Sequence, residues 1–434
     1  MRGIVLPALE GRLQKRYLTL VKAHLHAAPE LAAGIASLPS TSTAFAATQA
    51  AWRFNSNPRV TLPLLVEPLR AAGRDGLAST QAAFGLLVHD WSKICFEHPN
   101  SKADLVQLTH VHDIGYELTT ALLVSADDGH PLAPMEIHLR TATGVYSTRT
   151  PAPRVRPHLE QVLPTMAASR TWGLSKPLVH VIDREADSVD HYRRWDRAGH
   201  RYLIRGDDRR VKWNGQKILL STLAGQLHRQ GQLQCVGEAS YQGSTAALWV
   251  AETQVLLYRP AKKNVGGRKY TRPGKILALR FVVVQVRDAA GAVLAQWLLL
   301  SNVPAAWAST ELLARCYYWR WRIESFFKLL KSHGQQLEHW LQETGAAIAR
   351  RLLVAAIACV LVWRLQADES PAAQEFKNVL VRLSGRQTKR KRPHTAPALL
   401  AGLWVLLSML ALLEHYDLTD LKRLAKLIPL LNTS

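Results

Sequence analysis

Between Tyr317 and Lys331 the chain carries four side chains of the kinds that handle phosphodiesters: the Tyr317 phenol, the Arg320 and Lys331 cations and the Glu324 carboxylate. The segment lacks Pro and Gly, is rich in helix formers and continues upstream through Glu311 to Arg315, so it reads as one helix. Helical periodicity then puts all four on one side. The cations of such a stripe can hold phosphates, and its acid can ligate a divalent metal. A solvated charged face has the same spacing. Tyr318, Trp319 and Trp321, interleaved with the charges, weigh against it.

Two further acids close short apolar runs. Gly85-Leu86-Leu87-Val88-His89 leads into Asp90, and Pro177-Leu178-Val179-His180-Val181-Ile182 leads into Asp183. Both runs read as buried strands. Side chains at strand ends project into the crevice of an open sheet, where sites assemble. Three carboxylates at one point repel each other unless cations neutralise them. Hard oxygen donors suit Mg²⁺ or Mn²⁺. Two such ions, about 4 Å apart, suit an in-line phosphoryl displacement. A single strand-terminal Asp has the plainer explanation of a cap or turn.

The elements that must position these acids follow from periodicity. Leu9 to about Ala83 reads as helical, with breaks at Pro29, Pro39 and Asn57-Pro58. Glu117–Ser125, Leu132–Leu139 and Arg201–Arg205 join the two acid-ended runs as strands of one sheet, and Arg184 to Asp187 opens a helix. From 206 to 300, short alternating runs between Gly-rich turns indicate all-β structure: Leu233–Ala239, Ala246–Thr253, Gln254–Tyr258, Leu279–Arg287 and Trp297–Leu300. The loop Arg259–Lys275 carries Lys262, Lys263, Arg268, Lys269, Arg272 and Lys275, which fits an exposed hairpin and equally a tract following phosphates. After Ser309 the chain reads as helical, interrupted by a basic linker from Arg386 to Arg392.

Composition narrows the class. In 434 residues, 55 Lys and Arg face 33 Asp and Glu, a formal charge of +22 that predicts a polyanionic partner, nucleic acid first. Cys95, Cys235, Cys316 and Cys359 are too scattered for a zinc ribbon or a disulfide framework. His110-Val111-His112-Asp113 would align two imidazoles on a strand, without a third ligand for zinc. No nucleotide-cradling Gly loop and no Gly-x-Ser-x-Gly occur, so no nucleotide cofactor is expected. The start lacks a signal-peptide core, and the apolar run Ala398–Leu413 reads as a buried helix shorter than a bilayer span. These features predict no membrane association and a cytoplasmic, nucleoid-associated location.

The motifs reach a resemblance. Tyr317-x2-Arg320-x3-Glu324-x6-Lys331 resembles the Tyr-Arg-Glu-Lys signature of the bacterial insertion-sequence family four of DDE transposases. Asp183-Arg184-Glu185-Ala186-Asp187 is similar to that family's second-acid motif, and Val88-His89-Asp90 stands in the place of the first. Residues 50–60 resemble its N-terminal module, so the similarity runs from about residue 10 to about 365. Trp91-Ser92 departs from it, since hydroxyl residues follow the first acid in that family.

The resemblance implies an α/β fold whose ribonuclease-H-like core spans 84–205 and 301–365. An all-β insertion at 206–300 would interrupt it, an N-terminal helical DNA-binding module at 1–83 precede it, and a helical region at 366–434 follow. It implies a metal-dependent transposase with Asp90, Asp183 and Glu324 as its triad and two Mg²⁺ ions, for which Mn²⁺ can substitute. A hydroxyl freed at the transposon end would attack the opposite strand to form a hairpin, which is reopened before the end attacks target DNA. The implied partners are double-stranded DNA (terminal inverted repeats and target) and a second copy of the chain. Tyr317, Arg320 and Lys331 would contact DNA, and Trp297 with Arg205 would form the pocket for a base flipped at the hairpin. The C-terminal region reads equally as a dimerisation surface or as internal packing. Two rivals stay open: a DNA-binding descendant or inhibitor without chemistry, and a nuclease that never rejoins strands.

Overall fold

The computed structural model describes residues 4–26, 41–155, 157–265, 268–386, 394–425 and 427. The basic linker from 387 to 392 lies outside them. Three helices come first: α1 (Gly11–His26), α2 (Thr41–Ser56) and α3 (Leu62–Ala78). Five strands follow: β1 (Gly85–Ile94), β2 (Val106–Gln107), β3 (Ile114–Ser125), β4 (Pro131–Thr141) and β5 (Gly144–Ser147). Next come α4 (His158–Ser169), β6 (Leu178–Ile182), α5 (Val189–Arg197) and β7 (Arg201–Arg205). The middle of the chain holds β8 (Arg210–Trp213), β9 (Gln216–Leu219), α6 (Leu220–Arg229), β10 (Gln234–Tyr241) and β11 (Ser244–Leu257). It continues with β12 (Ala261–Val265), β13 (Arg268–Arg272), β14 (Leu277–Arg287) and β15 (Val293–Ser301). The end is helical: α7 (Thr310–Trp319), α8 (Trp321–Leu330), α9 (Gly345–Ala367), α10 (Pro371–Leu383), α11 (Ala396–Leu413) and α12 (Leu418–Ala425).

The result is a mixed α/β fold around one 13-stranded sheet in the order β5-β4-β3-β1-β6-β7-β15-β14-β11-β8-β9, with β2 on β3 and β10 on β11. β1, β3 and β4 are antiparallel neighbours, whereas β6 and β7 run parallel to β1. β15 pairs antiparallel with β7, Leu299 opposite Arg205. The strands of 206–300 therefore prolong the core sheet instead of forming a sheet of their own. The basic loop is largely a separate hairpin, β12 with β13. The all-β expectation for this stretch also needs correcting, because α6 lies within it and buries Leu220, Leu223, Ala224 and Leu227 at helical spacing.

Helices cover both faces, which explains why central strands read as unbroken apolar runs. Successive side chains alternate between faces. On β14, Val282 and Val284 join a core with α3, α7, α8 and α9, while Phe281 and Val283 join another with α4, α5 and α6. Tyr17 of α1 and Phe54 of α2 belong to that first core, so the N-terminal helices pack on the main fold and share its interior.

Two helices of similar apolar composition part company. α9 is almost wholly enclosed, as its Leu352, Ala356 and Val362 show. α11 was expected to be buried, yet buries only Ala398, Leu399, Leu400 and Gly402, leaving Met409, Leu410 and Leu413 about half exposed.

Candidate active site

β1 and β6 are parallel neighbours in the register Leu86↔Val179, Leu87↔His180, Val88↔Val181. The same offset carries Asp90 onto Asp183, two residues beyond the last pair. Asp183 leaves the sheet there: it caps the single turn Arg184–Ala186, its carboxylate accepting the Glu185 N–H at 3.0 Å. Asp90, by contrast, does not end its strand. β1 continues to Ile94 because β3 still pairs with it, Asp90 opposite Thr120 and Ile94 opposite Tyr116. The departure of β6 beside a continuing β1 opens the notch in which Asp90 is mostly buried. His89 points to the other face, where it meets His180 at 3.0 Å.

The predicted single helix is two. Ser309 caps α7 by accepting from the Leu312 N–H, and the regular pattern breaks at Arg320, where α8 begins. The Arg320 guanidinium spans two acids, donating to Asp90 Oδ2 at 3.0 Å and to Glu324 Oε1 at 2.8 Å, while its buried Nε has no partner among the described residues. Gly129 fixes α7 and α8 from the other side. Its positive φ of 72° suits the β3–β4 turn, a Cβ there would lie 2.1 Å from the Trp319 ring, and its carbonyl accepts from Arg322 at 2.8 Å.

Burial pushes Asp90 up to about 6. Arg320 and the Trp91 N–H oppose that shift, and the nearby charges of Asp183 and Glu324 add to it. Burial also raises the Tyr317 phenol, with Arg320 and Arg205 opposing and Asp183 reinforcing. Asp90, Asp183, Glu324, Tyr317, Arg320 and Arg205 thus act on one another electrostatically.

Two residues expected here sit differently. Trp297 is 2% exposed, its ring packed 5.4 Å from those of both Tyr317 and Trp321. Lys331 ends α8, donates to the Lys93 carbonyl of β1 and lies 3.5 Å from Glu338. His110 and His112 fall in a turn instead of a strand, with the Asp113 carboxylate bound to Lys93.

Residues that spacing did not reveal meet beside the site, on the face of β1 opposite Asp90. His158 of α4 lies 3.3 Å from Glu117 and 2.9 Å from Glu185, and Trp91 stacks on it at 3.9 Å. Burial works to lower the His158 imidazole, but the two carboxylates prevail and raise it. Only the fold brings 91, 158 and 185 together.

Among the described residues no three His, Cys, Asp or Glu side chains stand close enough to cage one ion. The donor chemistry nonetheless fits a divalent cation. The acids offer hard oxygens, and the raised Asp90 marks negative charge that Arg320 offsets only in part. The guanidinium stands in for cationic charge between Asp90 and Glu324.

Over residues 135–361, just over half of the chain, the sequence matches the family model described as Transposase DDE domain. That span includes Asp183 and Glu324 and begins beyond Asp90. Among curated proteins, none matches the sequence. One similar solved structure is the cryo-EM piggyBac transposase synaptic complex with hairpin DNA. It is 10% identical, with a TM-score of 0.35, and the alignment covers 95% of this chain and 73% of that one.

Proposed function

The chain belongs to the transposase DDE domain family, and on that premise we propose that it cleaves DNA at transposon ends and joins them to target DNA. Members of this family generally use divalent metal ions. The triad in this reading is Asp90, Asp183 and Glu324, holding two Mg²⁺ or Mn²⁺ ions. The observations that support it are a β1–β6 register that ends two residues short of Asp90 and Asp183, the Asp183 charge acting on Asp90, and Glu324 tied to Asp90 through Arg320. The insertion-sequence family four signature and a ribonuclease-H-like core belong to the same proposal. Three antiparallel strands followed by two parallel ones, with acids at β1 and just after β6, are consistent with that core.

The bound ions would activate the attacking oxygen and stabilise the leaving one. The chain's own groups prepare for this. At neutral pH Asp90, raised to about 6, is mostly ionised. Arg320 orients two of the acids and, when a cation takes over their charge, is free to turn to a DNA phosphate. Arg205, close enough to act on Tyr317, suits the strand that must bend into a hairpin. Trp297 can receive a flipped base only if its packing against Tyr317 and Trp321 loosens. Residues 1–83 are proposed to contribute to DNA binding. The exposed part of α11 is proposed to contribute to pairing two copies on DNA.

The test is nicking and joining of DNA carrying the inverted repeats that flank the coding region. The expected result is Mg²⁺-dependent cuts at the repeat ends, hairpin ends and joined product. A mobility shift without cleavage in Mg²⁺ or Mn²⁺ would contradict it and favour a silent DNA-binding protein.

A further inference from the structure

At the end of β6 opposite Asp183, a cavity of about 350 Å³ opens beside the starts of β6 and β7. Arg170, Lys176, His180, His200, Arg201 and Trp307 line it. Among the described residues the three cations bond to neutral oxygens and to no carboxylate. Arg170 donates to the Ala198 carbonyl, Lys176 to the Thr80 carbonyl at 2.5 Å and hydroxyl at 2.9 Å, and Arg201 to the Asn302 carbonyl at 3.4 Å. Other arginines around the sheet differ: Arg149, Arg209 and Arg280 meet Glu136, Asp187 and Glu252. The neighbouring Asp196 accepts from the Asn302 amide at 3.3 Å. Full cationic charge is therefore left facing one concavity.

The two histidines suit the same ligand. His180 and His200 are 2% and 4% exposed. Burial holds both below the ordinary imidazole range, so they stay neutral and do not repel the cations. His180 is further positioned by His89 at 3.0 Å.

We propose that this cavity is a phosphate-binding site that grips a backbone phosphate of nucleic acid. Three cations and two imidazoles form an electropositive pocket matched to tetrahedral oxyanions. A backbone source fits the formal charge of +22 better than a lone small anion does. The inference rests on the DNA-binding reading above and adds a second contact. His180, at the middle of β6, lines the cavity, and Asp183 follows the far end of the same strand three residues on, at roughly 3.3 Å each. One nucleic acid following the sheet, or two separate duplexes, can then engage both ends.

The experiment measures affinity of the full chain for a terminal-repeat duplex across salt concentrations. It compares the parent, Arg170→Ala/Arg201→Ala and Arg170→Lys/Arg201→Lys, with thermal melting beside each. The alanine pair is expected to bind about tenfold or more weakly and to lose about one unit of salt slope per phosphate released. The lysine pair should keep most of the slope. If the alanine pair unfolds, Arg201→Gln carries the test with half the loss. An unchanged slope in a folded variant overturns the site while leaving DNA binding intact. If inorganic phosphate raises the melting temperature of the parent alone and the slope stays unchanged, the site takes a free anion and the backbone assignment falls. A parent that binds no duplex removes both this inference and the reading beneath it.

Discussion

The two ends of β6 present opposite electrostatic problems on one short strand. Where β6 ends, Asp90, Asp183 and Glu324 outnumber Arg320. Where it begins, Arg170, Lys176 and Arg201 meet no carboxylate among the described residues and bond instead to neutral oxygens. Between them Val179 and Val181 are fully buried, so the strand itself is ordinary core. Uncompensated charge in a folded chain costs stability. Each end therefore reads as a surface completed from outside, by cations at one and by phosphate at the other.

The largest effect should come from Arg320→Ala, which leaves Asp90 and Glu324 without their shared partner. Losing one side of a largely buried pair should destabilise the chain by about 3 kcal/mol in chemical denaturation. Arg201→Ala, which loses a carbonyl hydrogen bond and its place over the Trp307 ring, should cost about 1 kcal/mol. Equal losses would erase the contrast. Mg²⁺ should restore more stability to Arg320→Ala than to the parent, because the ion supplies the missing charge.

Next in size is Asp90→Asn, examined in metal-free buffer. The Asp90 carboxyl rises from 3.8 to about 6 on folding. Between those values the folded chain holds a proton that the unfolded chain has released. Its contribution to stability therefore falls as pH rises through that window. The Asn variant should melt higher than the parent at pH 7, by up to about 3 kcal/mol at roughly 1.4 kcal/mol per unit. The advantage should fade as pH falls towards 4. A variant that melts lower at pH 7 would show that Arg320 already balances the acids.

Gly129→Ala perturbs the acid end alone. It forces a side chain into positive φ and against Trp319, and should cost more than about 1 kcal/mol. Cleavage should fall with it while binding at the basic cavity persists. Lys331→Ala should be smallest: below about 1 kcal/mol, since its partner Glu338 is partly exposed. Any phosphate contact it makes would show as a salt slope smaller by about 0.9.

Much of this was legible beforehand, because strand burial and strand ends are written locally. β7 has the bounds its apolar run predicts, and β6 lies within its predicted run. What failed depended on partners distant in sequence. β1 overran Asp90 because β3 keeps pairing with it. The break at Arg320 carries no Gly or Pro to mark it, and Arg320's partner Asp90 lies 230 residues away. The basic cavity assembles residues 170, 176 and 201 with His180, and no spacing rule joins them. α6 is different: its Leu220, Leu223 and Leu227 repeat is written locally, though short and set among strand-like runs. α11 failed for the opposite reason, since an apolar helix does not say how much of itself is covered.

The most direct test makes Asp90→Ala, Asp183→Ala and Glu324→Ala separately and follows cleavage of terminal-repeat DNA in Mg²⁺ and Mn²⁺, with binding measured alongside. Loss of cutting in all three, with affinity retained, is the predicted result. Parent-like cutting by any one of them would contradict the shared acid site.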